Sequence, residues 1–288
     1  MTVVRELRSQ GNCGGSFHFV CWVERIIRLA IKLSRKACMS ELENARPLGA
    51  DPSPQPRTFD FFETLLVALI TYAVFLFAAQ LTIMLSLPAF MDGLSSEQYD
   101  ILWKQPVRQG AAVILATPAA IAVLWVAIRR AGREFTDYLA LNWPSRDDIV
   151  IVLGITIIFL TVEAFVTIKL GIGRSQTNSD LVVGGATGLM IFAVIICVAA
   201  PVLEEFVFRG FMFRGWSQSF LGPIGAIVLT SALWAMLHSQ YGWYERSWIF
   251  VDGLVLGYFR LRSNSTWLTV VAHSAMNMAI LFLGGPYV

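Results

Sequence analysis

Charge is what this chain has least of. Only 15% of its 288 residues are Asp, Glu, Lys or Arg, while 56% are hydrophobic and the mean hydropathy is +0.62. A water-soluble domain carries about 25% charged residues. The deficit speaks against an ordinary cytosolic enzyme and excludes a disordered chain. The net charge of +2 leaves no footprint for nucleic acid. Cysteine is scarce as well, with four residues and no Cys-x-x-Cys. Cys197 lies within an apolar run, and the spacing of Cys13, His18 and Cys21 fits no common metal template. Neither a zinc ribbon nor a disulfide framework is indicated.

What the chain does have is long charge-free runs. Thr64–Met91 holds 28 such residues, Gln109–Ile128 holds 20 and Leu181–Leu203 holds 23. A bilayer span needs about 20 mostly apolar residues. The expected fold is therefore all-α, a polytopic transmembrane helical bundle. Seven spans are read, at about 61–87, 109–128, 149–169, 182–217, 222–242, 247–260 and 266–284.

Four regions are expected along the chain. Residues 1–38 carry seven Lys or Arg against two Glu, with Arg25, Arg28, Lys32 and Lys36 on one helical stripe and Trp22, Ile26, Leu29 and Leu33 on another. This reads as a basic amphipathic helix on the cytoplasmic side, with Met39 as an alternative start. Residues 39–60, with four prolines, read as a linker. Residues 61–180 hold the first spans and 181–288 the region with the chemistry. Arg129, Arg130, Arg133, Arg146, Arg260 and Arg262 mark inner loops, which places the N-terminus inside and, with seven spans, the C-terminus outside.

Ionisable residues inside spans are costly and tend to be functional. The fourth span carries Glu204, Glu205 and Arg209, the fifth Trp234 and His238, and the seventh His273 and Asn277. Glu205 and Arg209 are four apart and can pair on one face, while Glu204 is rotated by about 100° and is free to point elsewhere. Gly222-Pro223 reads as the turn of a hairpin, with Glu204 18 residues before Gly222 and His238 16 after it. Glu204, His238, His273 and Asn277 can then meet just below the cytoplasmic surface. That set suits amide hydrolysis: a carboxylate to activate water, an imidazole to move the proton, and donors for the oxyanion. The same Glu204, His238 and His273 can alternatively ligate Zn²⁺. Glu163 and Asp252 read as structural hydrogen-bonders. Phe206, Phe208, Phe211 and Phe213 read as lipid-facing packing or, alternatively, as the lining of a substrate groove.

Glu-Glu-x-x-x-Arg, aromatic-x-x-x-His and His-x-x-x-Asn, in this order on successive spans, resemble the CAAX prenyl protease and bacteriocin-processing family of intramembrane endopeptidases, also called the Abi family. The resemblance covers about residues 180–285. It implies a chamber open to the cytoplasm, with Glu204 as catalytic carboxylate, His238 as its partner, and His273 and Asn277 lining the oxyanion side. Glu205, Arg209 and Trp234 would support them, and Trp234 stands where the family has Phe. The family is described both as metalloprotease and as metal-free, so zinc stays open as a cofactor.

Other membrane-protease patterns are missing. There is no His-Glu-x-x-His, the only Gly-Gly-Ser lies at 14–16 outside any span, and Asp252 lacks a second catalytic aspartate. The expected partners are the lipid bilayer and a membrane-embedded or lipidated peptide, in a prokaryotic cell membrane. Two other classes compete: a non-catalytic peptide-binding or immunity protein of the same fold, and a proton-coupled transporter.

Overall fold

A computed structural model of the chain describes residues 58–86, 95, 106–172 and 185–283. The basic amphipathic segment 1–38 and nearly all of the linker 39–60 lie outside the described residues. Those described form eight helices and no strand. In chain order they are α1 (Phe61–Ser86), α2 (Pro106–Arg130), α3 (Phe135–Tyr138), α4 (Arg146–Lys169), α5 (residues 185–217), α6 (Gly222–Leu237), α7 (Trp243–Ser263) and α8 (Thr266–Leu283).

Local chemistry sets several of these boundaries. Asp60 Oδ1 accepts from the Glu63 N–H and Glu63 Oε2 accepts from the Asp60 N–H, a reciprocal cap at the start of α1. Ser145 caps α4 by accepting from the Asp148 N–H. Asn264 ends α7 in the left-handed conformation (φ 49°), a geometry that asparagine tolerates. Ser265 then caps α8 through the Leu268 N–H.

Long-range contacts sort the helix ends into two groups. At one end the Trp216 indole donates to the Phe61 carbonyl, and Thr266 N donates to Ala140 O. Asn142 Nδ2 reaches the Asn264 carbonyl in the same cluster. This end gathers the arginine-bearing turns, Arg129 to Arg146 and Arg260 to Arg262. At the other ends of these helices, Arg108 meets Ser86, and Thr167 Oγ1 shares a hydrogen bond with the Tyr244 hydroxyl. The long helices therefore run alternately between the two ends. Trp143 and Trp243, both strongly exposed, flank them as interfacial aromatics.

Four helices are long and apolar enough to cross a membrane: Phe61–Ser86, Arg108–Arg130, Arg146–Lys169 and Met190–Ser217. Their outward faces carry Leu, Ile, Phe and Val side chains, as at Phe77, Val150 and Phe165. Two expected spans come out differently, while α8 keeps its expected bounds to within a residue. α6 is apolar but shorter, stopping at Leu237 because His238 leaves the helical conformation (ψ 51°). α7 is longer than expected, and it bears Glu245, Arg246, Asp252, Arg260 and Arg262.

α5 is the central element, with α2, α6 and α8 packed against it. Its helical path is Gly185–Val194, then a π-helical stretch Ile195–Ala199, then α-helical Ala200–Glu205, a second π-helical stretch Phe206–Met212, and α-helical Phe213–Ser217. Phe206, Phe208, Phe211 and Phe213 are all buried in the main core, rather than lipid-facing. An enclosed helix has no lipid face in that region, and neighbouring helices cover the aromatic residues from all sides. α6 and α7 pack closely because Gly253 and Gly257 face Ser231 and Ile227: a Cβ on Gly253 would lie 2.7 Å from the Ser231 Cβ. Small residues four apart allow this backbone approach.

Candidate functional site

The site starts with a backbone irregularity in α5. In the first π stretch the Ala200 N–H pairs with the Ile195 carbonyl, five residues back. In that register the Ile196 carbonyl would pair with the N–H of residue 201, which is Pro201 and has none. Asn277 on α8 fills the gap, donating from Nδ2 to Ile196 O at 2.6 Å. Widened turns of this kind often occur at functional sites. Here two of them bracket the short α-helical segment that ends in Glu204 and Glu205.

The adjacent carboxylates have different partners. Glu205 is fully buried, and its Oε1 accepts from Arg209 Nη1 at 2.9 Å and from His273 Nδ1 at 3.0 Å. Arg209 is fully buried too, reaches the Gly253 carbonyl at 3.4 Å and lies 4.5 Å from the centre of the Trp234 ring. A buried charge needs such compensation, because desolvation is costly unless charged and hydrogen-bonding partners surround it. Glu204 is half-buried, and its Oε2 accepts from Trp234 Nε1.

Trp234 is the hub. Its ring stands edge-on to both imidazoles, with centroids 5.1 Å from His238 and 5.2 Å from His273. His238 closes α6 and bonds through Nδ1 to the Trp234 carbonyl at 2.8 Å. Because a carbonyl and a carboxylate only accept, Nδ1 is the donor in both histidines, so Nε2 carries the lone pair in each neutral ring. Tyr241 stacks on His238 at 6.2 Å, and burial pushes its hydroxyl above its ordinary value, so it stays a neutral phenol.

The structure thus brings Glu204, His238 and His273 around the Trp234 indole, with Glu205 and Arg209 behind them. The direct partner of Glu204 is Trp234 rather than a histidine. Glu204 lies 13 residues before the end of α5 and Trp234 12 after the start of α6, so these two share a level. His238 is one turn further on, towards the end of α6 remote from the arginine-bearing turns. His273 lies seven residues into α8 from Thr266, which is at the arginine-bearing end. Asn277 is engaged with backbone.

Four partners went unread in the sequence: the Trp234 N–H on Glu204, the Tyr241 ring on His238, Glu205 for His273 and the Ile196 carbonyl for Asn277. The first had a signal, since a buried indole N–H seeks an acceptor. Asp252 and Glu163 are both buried, and Asp252 has Glu163 and Arg209 as electrostatic neighbours. Among the described residues no group of three or more His, Cys, Asp and Glu is arranged to hold a metal ion.

The fold and these groups define a helical membrane protein with a carboxylate–imidazole centre inside its bundle. Residues 186–279, about a third of the chain, match the family model described as type II CAAX prenyl endopeptidase Rce1-like. The match supports the CAAX protease family named by the motifs and, in general terms, an intramembrane endopeptidase of the CAAX type. No curated protein and no solved structure matches the chain.

Proposed function

We propose that the protein hydrolyses a peptide bond of a membrane-associated peptide, using water activated by Glu204. The observation that carries this reading is the gathering of Glu204, His238 and His273 around Trp234. In it, Glu204 takes a proton from the attacking water through its second oxygen. His238, turned so that Nε2 is available, receives that proton and passes it to the leaving amine. His273, anchored through Nδ1 to Glu205, faces the developing oxyanion and stabilises it when protonated. Arg209 and His273 both bond Glu205, so that Glu205 is the anchor while Glu204 does the chemistry. Asn277 contributes by holding the backbone from which Glu204 projects. The residues as arranged do not make up a three-ligand zinc set, and no step here runs through a metal.

The substrate class is a peptide held at the bilayer: a prenylated CAAX-type terminus, or a leader or bacteriocin precursor in a prokaryotic membrane. The arginine-bearing end faces the cytoplasm in this reading. The test uses purified protein in vesicles with quenched peptides of both kinds, comparing wild type, Glu204→Gln and His273→Ala with and without chelator. Cleavage by wild type and its loss in both variants is expected. Equal cleavage in folded variants rules out the site. Peptide binding without a product in wild type points to the non-catalytic alternative.

A further inference from the structure

We infer that the indole N–H of Trp234 is a positioning group that holds the Glu204 carboxylate, in addition to the ring forming an aromatic wall. This rests on the reading of Glu204 as the water-activating acid.

Three observations carry it. First, the two carboxylates have separate donors. Arg209 and His273 both bond Glu205, and the hydrogen bond to Glu204 Oε2 comes from Trp234 Nε1. Second, the donor is itself fixed. Trp234 is 4% exposed, lies against the Arg209 guanidinium at 4.5 Å, and is flanked by both imidazoles. A group locked by packing holds its partner more closely than a mobile side chain does. Third, the bond leaves Glu204 Oε1 to meet water, since a carboxylate has two oxygens and about four acceptor sites. A phenylalanine at this position would keep an aromatic ring and have no donor.

The test removes the donor and keeps the ring. Trp234→Phe retains an aromatic side chain, and Trp234→benzothienylalanine retains the bicyclic outline with sulfur in place of the N–H. Both are reconstituted in phosphatidylcholine vesicles with a quenched peptide ending in a farnesylated CAAX-type terminus. The expected result is a fall in kcat of about ten-fold in both, as for a lost hydrogen bond to a charged group, with KM little changed. A merely structural role would leave kcat unaltered in the benzothienyl variant.

Separately, unfolding is measured for Trp234→Phe, Glu204→Ala and the double variant. A coupling worth about ten-fold in the folding equilibrium is expected. Unchanged kcat in the benzothienyl variant, or strictly additive unfolding, overturns the inference. If Trp234→Phe does not fold, the benzothienyl variant alone decides. The unfolding cycle needs no substrate, so it judges the bond even if Glu204→Gln still cleaves and the proposed reaction fails.

Discussion

The tie between Asn277 and the Ile196 carbonyl makes a prediction that can be worked through. Pro201 removes the N–H that the π register requires, and the Asn277 amide replaces it at 2.6 Å. Removing the amide with Asn277→Ala orphans a carbonyl inside the bundle. An unsatisfied buried acceptor costs about 1–3 kcal/mol. Asn277 is itself only half-buried, so a water can enter, and the lower half of that range, about 1–2 kcal/mol, is expected. Pro201→Ala restores the backbone donor. In that background Asn277→Ala should cost less than about 0.5 kcal/mol, giving a coupling of at least about 0.5 and up to about 2 kcal/mol, against the ~0.3–0.5 kcal/mol scatter of independent sites. The assay is equilibrium unfolding of the purified protein in mixed micelles, followed by tryptophan fluorescence, for the two single variants and the double. An equal cost in both backgrounds would refute the reasoning, because the amide would then be stabilising something other than the gap left by proline.

Other consequences are as direct. Gly253→Ala should destabilise the protein by about 1–3 kcal/mol, since the new methyl meets Ser231 at 2.7 Å with backbone close behind it; thermal unfolding in detergent measures this. Single cysteines at Ala131→Cys and Gly242→Cys in a background free of reactive thiols should label from opposite faces of sealed vesicles, because the α2–α3 and α6–α7 turns lie at opposite ends of the bundle. Labelling of both from one face would contradict the alternation of the helices. A chelator should leave peptide cleavage within about two-fold of the untreated rate, as a carboxylate-activated water requires; loss of activity restored by Zn²⁺ would count against the metal-free route.

How much of this was legible in the sequence depends on the range of the interaction. The membrane class followed from run lengths alone, as in Thr64–Met91. The Glu205–Arg209 contact was readable from a four-residue spacing, since both lie on one helix and the helix fixes their separation. The α5–α6 turn was marked by Gly222, which indeed takes φ 62°. The two π stretches left no mark that periodicity detects, because one extra residue in a turn changes the register only locally. Pro201 was the one clue, and it pointed to a kink as readily as to a side-chain rescue. The partner of His273 depended on the packing of α8 against α5 and could not be had from α8 alone. The burial of Phe206, Phe208, Phe211 and Phe213 was misjudged for a related reason. A run of phenylalanines looks the same facing lipid or facing a core, and only the central place of α5 distinguishes the two.

The claim at the centre of this account is that water, activated by Glu204, attacks the scissile carbonyl directly. A single-turnover cleavage in heavy-oxygen water tests it, with mass spectrometry of both product and protein. One heavy oxygen is expected in the new product carboxylate and none in Glu204. Heavy oxygen in the Glu204 side chain with none in the product would mean that the carboxylate itself attacked, and would contradict it.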